Sequence, residues 1–207
     1  NAMTIAATGN SSIDLNGHAV TLSGVLSGGG GGAILLLTNS GGSPATLTVS
    51  NVNNYTGTTS VGTNVILALS GNGSIGTSAL NFVDATSVFD ISGMAPASYT
   101  LTNAAYTTGK FALGSKALTV NSAADTSVGS MIAGAGGSLV KTGVHTLTLT
   151  NANTFDGGAT LSQGTVAMGN AAALGTGPVT FSGGALQLNG AYTVANDISL
   201  VNAGANT

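Results

Sequence analysis

One pattern stands twice in this chain, and no other feature limits the possible folds as much. TLTVSNVNNYTGTTSVGTNVIL at 46–67 returns as TLTLTNANTFDGGATLSQGTVA at 146–167. Leu47, Val49, Asn51, Asn53, Tyr55, Gly57, Val61 and Ile66 are answered in kind by Leu147, Leu149, Asn151, Asn153, Phe155, Gly157, Leu161 and Val166. After a one-residue shift the match continues, with Ile75, Gly76, Leu80 and Phe82 against Leu174, Gly175, Val179 and Phe181. It goes on through FDISG at 89–93 against LQLNG at 186–190, and SYTLTN at 98–103 against AYTVAN at 191–196. The chain reads as two imperfect copies of one unit, the first at about 13–106 and the second at about 112–203.

Within each copy apolar residues alternate with Thr, Ser and Asn, and clusters of Gly, Asn and Ser interrupt them, which is the pattern of half-buried strands and turns. A repeat with one apolar face per strand has to stack on its neighbours to bury that face. The expected fold is all-β, a parallel β-helix or solenoid with no substantial helix. Coils of roughly 20 to 25 residues would number about eight to ten. NAAALG at 170–175 is at most one helical turn.

The same residues carry a family resemblance. Leu139 to Gly143, Thr146 to Leu149, Asn153 to Gly158 and Ser162 to Val166 resemble the autotransporter-associated β-strand repeat of Gram-negative type V secreted passenger domains. Phe155 and Asp156 depart from the family's Tyr and Thr, and SGGSPATLTV replaces the Lys-Thr-Gly lead-in of the first copy. The resemblance implies a right-handed β-helix, export through the outer membrane to the bacterial cell surface or medium, and a C-terminal outer-membrane barrel in the full protein. It also implies a virulence-associated adhesin, with a host-cell or matrix protein, a glycan or a second copy as partner. A passive stalk and secretion scaffold is the other role it allows.

Composition removes several functions. Only 4% of the 207 residues are charged, with net charge -3, against about a quarter in ordinary domains. Lys110, Lys116 and Lys141 make no patch, so nucleic acid is not an expected partner. The absence of Cys fits a chain that crosses the periplasm unfolded. The longest apolar runs, at 33–37 and 65–69, fall short of the roughly 18 residues of a membrane helix, so no membrane insertion by this segment is expected. Asn1-Ala2-Met3 reads as a tag remnant. LVNAGANT at 200–207 resembles IAATGNSS at 5–12, so a further unit is expected to begin there and the chain to be a fragment.

The remaining polar residues offer few settings for chemistry. The five glycines at 28–32 lack the Lys and Ser or Thr of a phosphate loop and correspond to GAGGS at 134–138, so a bend between coils is expected. Gly71-Asn72-Gly73-Ser74-Ile75-Gly76 follows an apolar strand like a dinucleotide fingerprint, with Asp90 downstream, but β-branched and aromatic residues follow where a helix should start. Asp84 and Asp90 read as turn or surface carboxylates, and His18 and His145 as satisfied or solvated residues without a third metal ligand. No Gly-x-Ser-x-Gly nucleophile setting and no calcium-binding nonapeptide is present. Tyr55, Tyr99, Phe155 and Tyr192 recur at matched places, either as a glycan-stacking surface or, better, as internal packing. The expectation is no enzyme, no catalytic, cofactor-binding or metal residues, no cofactor, and a binding surface that the sequence does not locate.

Overall fold

A computed structural model describes residues 2–102 and 106–201. Asn1 of the Asn1-Ala2-Met3 start and the tail at 202–207 lie outside the described residues, as does the 103–105 end of the first copy. Every element among the described residues is a strand.

The chain divides into two compact units, 1–96 with 108–112, and 97–107 with 113–207. The first holds β1 (Met3–Ile5), β2 (Thr8–Asp14), β3 (Val20–Leu22), β4 (Leu26–Gly28), β5 (Gly32–Thr38) and β6 (Ala45–Val49). It continues with β7 (Thr58–Val61), β8 (Val65–Gly71), β9 (Ala79–Phe82) and β10 (Val88–Met94). The chain then passes through β11 (Ser98–Leu101) of the second unit before β12 (Lys110–Ala112) completes the first.

The second unit continues with β13 (Ala117–Val120), β14 (Thr126–Val128), β15 (Met131–Ala133), β16 (Ser138–Lys141) and β17 (Thr146–Leu149). It ends with β18 (Ala159–Leu161), β19 (Thr165–Met168), β20 (Val179–Phe181), β21 (Ala185–Leu188) and β22 (Ile198–Leu200).

In the first unit the sheets run β2-β5-β7-β9, β3-β6-β8-β10-β12 and β1-β4. In the second they run β11-β13-β16-β18-β20-β22 and β14-β17-β19-β21. Pairing is parallel, for example Leu47 on Leu67 and Leu147 on Val166. Each unit is a parallel β-solenoid, because the chain winds through one strand of each sheet before it returns one coil further on.

The period-two pattern fixes which residues face inwards. β6 buries Ala45, Leu47 and Val49, β13 buries Leu118 and Val120, and the Thr residues between them stay half-exposed. Columns of like residues result, as in Leu47, Leu67, Phe89 and Phe111. Phe111 meets Phe89 edge-on at 6.3 Å and Phe82 at 5.2 Å, a geometry favoured by the ring quadrupoles.

HAVTLSGVL at 18–26, whose apolar pattern predicts a single strand, is broken in two. Val20–Leu22 and Leu26–Gly28 belong to different sheets, and Ser23-Gly24 turns the corner between them.

The glycine run carries the chain from β4 to β5, as the bend reading requires. Gly29 has φ of 80°, and a Cβ there would lie 2.2 Å from the Thr56 carbonyl oxygen. Gly73, in the dinucleotide-like stretch, would put a Cβ 2.0 Å from the Val49 oxygen, and the chain goes on to β9 with no helix. The 170–175 segment is a hydrogen-bonded turn.

Candidate functional site

The residues that both copies share converge on the joints between coils. Asn153 is 2% exposed. Its Oδ1 accepts the Ile132 N–H at 2.8 Å, and its Nδ2 donates to the Ala173 carbonyl at 2.6 Å. Asn53, 4% exposed, does the same in the first copy. Its Oδ1 accepts the Leu26 N–H at 2.7 Å and its Nδ2 donates to the Ser74 carbonyl at 2.7 Å. The asparagine two places earlier reaches the preceding coil as well, Asn51 donating to Ser23 O at 3.1 Å and Asn151 to Gly129 O at 2.8 Å. The Asn-x-Asn turn is thus a side-chain clamp across three successive coils, made where the chain leaves regular strand and its main-chain groups would otherwise lack partners. Among the described residues no buried side-chain nitrogen or oxygen is left unpaired.

Tyr55 and Phe155 follow the clamp inwards, at 1% and 0% exposure, which makes them packing residues and not a stacking surface. The Tyr55 hydroxyl shares a 2.5 Å hydrogen bond with Thr59 Oγ1, which meets Ser78 Oγ at 2.7 Å. Burial pushes the Tyr55 phenol up to about 12, against the pull of Thr59 and Ser78, and pushes Tyr106 up to about 12 too. Tyr99 lies half-buried on β11, while Tyr192, also half-buried, lies outside any strand.

Lys141, one of the three lysines that make no patch, is buried. It occupies the inward column between Val120 and Leu161 and is 1% exposed. Its Nζ donates to the carbonyls of Thr142 at 2.6 Å, Gly143 at 2.7 Å and, in the next coil, Gln163 at 3.4 Å. Burial lowers its pKa, and the charge of Asp125 opposes the shift. The Lys-Thr-Gly signature is therefore a corner device, the lysine stem packed in the core and its head tying carbonyls at the bend. Period-two alternation through Leu139, Val140 and Lys141 was the signal that it points inwards.

The carboxylates and histidines take up separate structural posts. Asp84 bonds Thr63 Oγ1 of the preceding coil and the Thr86 N–H at 2.8 Å. These bonds, Thr63 first, hold its pKa below the usual carboxylate value. Asp14 makes the like contact, accepting the Ser40 hydroxyl at 2.7 Å and its N–H at 2.9 Å, and is lowered for that reason. Asp90 caps the Ser92 N–H at 2.8 Å. Asp156, the departure from the family's Thr, accepts the Gly136 N–H of the preceding coil. His18 is exposed after the Asn16-Gly17 turn, and His145 lies 3.7 Å from Asp125. Among the described residues no group of three or more His, Cys, Asp or Glu stands where it could hold a metal ion. An open groove bordered by Asp14, Leu36, Ser40, Thr63 and Val83 brings no pair of unbound titratable groups together.

One outward column stands apart. Register aligns Thr100, Thr119, Val140, Thr160, Thr180 and Ser199 across β11, β13, β16, β18, β20 and β22. All six are half-exposed or exposed, and none is charged.

Comparison with protein families finds a match at residues 139–168 to the passenger-associated-transport-repeat, a segment that contains Lys141, Asn151, Asn153 and Phe155. Such a repeat is not catalytic by itself. Comparison with curated proteins and with solved structures found no match. Each unit is thus a parallel β-solenoid, and the second carries a passenger-associated-transport-repeat, which fits a fragment of an autotransporter passenger.

Proposed function

We propose that the chain is a non-catalytic adhesive segment of a passenger exported by type V secretion and displayed on the bacterial surface, the full protein ending in an outer-membrane barrel. The observation that carries the adhesive role is the hydroxyl column of the second unit. Six coils in register present Thr, Val or Ser outwards without a charge to repel an approaching surface. Many individually weak hydrogen bonds at a fixed repeat sum to useful avidity when the partner repeats as well. A second copy, a matrix protein or a glycan on a neighbouring cell has that character.

The second reading is a stalk and folding scaffold. One observation favours it: Asn53, Asn153, Tyr55 and Phe155, shared by both copies, all serve the interior. Coils that are knitted one to the next add stepwise onto coils already folded.

Display of the full passenger on cells separates the readings. Thr119→Lys, Thr160→Lys and Thr180→Lys together abolish attachment and cell clumping if the face adheres, with secretion unchanged. Attachment that survives the triple change while Asn153→Ala lowers surface display overturns the adhesive reading and leaves the scaffold.

A further inference from the structure

Asn-Gly occurs three times, at 16–17, 72–73 and 189–190. This pair is chemically fragile because glycine has no Cβ to block its own nitrogen from the asparagine side chain. All three asparagines are exposed, so exposure does not tell them apart. The glycine nitrogen does.

The Gly17 N–H donates to Asn39 Oδ1 of the next coil at 2.7 Å, and Asn39 is itself tied through Nδ2 to the Ser43 carbonyl at 2.6 Å. The Gly73 N–H donates to the Ser70 carbonyl at 2.9 Å, and Gly73 is buried. Gly190 is exposed just past the end of β21; its carbonyl accepts the Tyr192 N–H, but its own N–H has no acceptor among the described residues. In addition, Gln187 Nε2 donates to Asn189 Oδ1 at 2.8 Å, which polarises the side-chain carbonyl towards attack.

We propose that Asn189 is a site of spontaneous self-modification, and that Asn16 and Asn72 are held unreactive by the hydrogen bonds on their following glycines. The Gly190 nitrogen attacks Asn189 Cγ, forming a carbon–nitrogen bond as the Cγ–Nδ2 bond breaks. Water carries the Gly190 proton to the departing nitrogen, which leaves as ammonia. A second water then opens the succinimide at either carbonyl, giving aspartate or isoaspartate at position 189 with no oxidant or cofactor. The product adds a negative charge to a chain of net charge -3. The isoaspartate form also lengthens the main chain directly after the Met168–Leu188 rung of β21.

The test is peptide mapping of the whole chain by mass spectrometry over a time course in mildly alkaline buffer made with heavy-oxygen water. A gain of about one dalton, plus the heavy-oxygen label, marks conversion. Position 189 is expected to convert at least about tenfold faster than 16 or 72, the effect of one retained hydrogen bond on the attacking nitrogen. Gly190→Ala should slow conversion at 189, and Asn39→Ala, which frees the Gly17 nitrogen, should switch it on at 16. Equal rates at the three positions, or an Asn39→Ala chain in which position 16 stays inert, overturns the proposal.

Discussion

Asn153 Oδ1 accepts the main-chain N–H of Ile132 at 2.8 Å, and the two residues belong to successive coils 21 positions apart in sequence. The matching bond from Leu26 to Asn53 spans 27 positions in the first copy. One side chain thus fixes the step of the coil, reaching from outside any strand to the edge of β4 or β15 that carries no further strand among the described residues. Asn153→Ala leaves the buried Ile132 N–H and the Ala173 carbonyl without partners. The expected loss is about 2–4 kcal/mol in urea unfolding, with a similar loss for Asn53→Ala. A loss below about 0.5 kcal/mol for both would show that water or local relaxation replaces the clamp.

Packing and charge make opposite demands at Lys141, and packing is expected to win. Removing a buried charge relieves a desolvation cost, so Lys141→Met, which keeps the stem between Val120 and Leu161, should stay within about 1 kcal/mol of the parent. Lys141→Ala also opens a hole in the column and should cost about 2–3 kcal/mol. Because burial lowers the folded-state pKa, the unfolded chain binds the extra proton between that value and about 10.5. Stability attributable to Lys141 therefore rises with pH through this window, and the rise is absent from Lys141→Met. If Met and Ala cost the same, the carbonyl bonds and not the packing hold the corner.

The tyrosines give the reverse trend at higher pH. With Tyr55 and Tyr106 each pushed up to about 12, the folded chain keeps both phenol protons after the unfolded chain has begun to lose its own near pH 10. Stability is unaffected below that point and falls between about pH 10 and 12, by about 1.4 kcal/mol per pH unit for each tyrosine. Tyr55→Phe, the residue type that the second copy has at Phe155, should halve the slope. An unchanged slope in that variant would assign the alkaline loss elsewhere.

Within the glycine run, position decides tolerance. A Cβ at Gly29 meets the Thr56 carbonyl at 2.2 Å, whereas at Gly31 nothing lies within 4 Å. Gly29→Ala should cost more than about 2 kcal/mol, and Gly31→Ala less than about 0.5 kcal/mol. Thermal unfolding of the two variants measures the contrast, and equal costs would mean that the run is needed only for flexibility.

Much of this architecture is legible in the sequence, because period-two alternation and repeated turn residues are local signals. Leu47, Leu147 and their neighbours declare the inward columns, and Asn53 and Asn153 declare themselves as special by recurring. What they bond to is not legible. Leu26 and Ile132 lie a coil away, and the coil length differs between the two copies, so register has to be seen. The burial of Lys141 escapes the sequence for a different reason. A lysine is ordinarily solvated, so the alternation through Leu139 and Lys141 does not by itself place the side chain inside. The break at Ser23-Gly24 was hidden because apolar residues flank it on both sides and carry the strand pattern across. The hydroxyl column of Thr119, Thr160 and Thr180 has no sequence signature, since it exists only when the strands are stacked.

The measurement that tests the clamp most directly is amide hydrogen exchange resolved to single residues in the whole chain. Leu26 and Ile132 N–H should be among the slowest-exchanging amides of their units, approaching the protection set by global unfolding. Asn153→Ala should release Ile132 and leave Leu26 protected, and Asn53→Ala should do the opposite. Fast exchange of both amides in the parent chain would contradict the claim that buried asparagines join the coils.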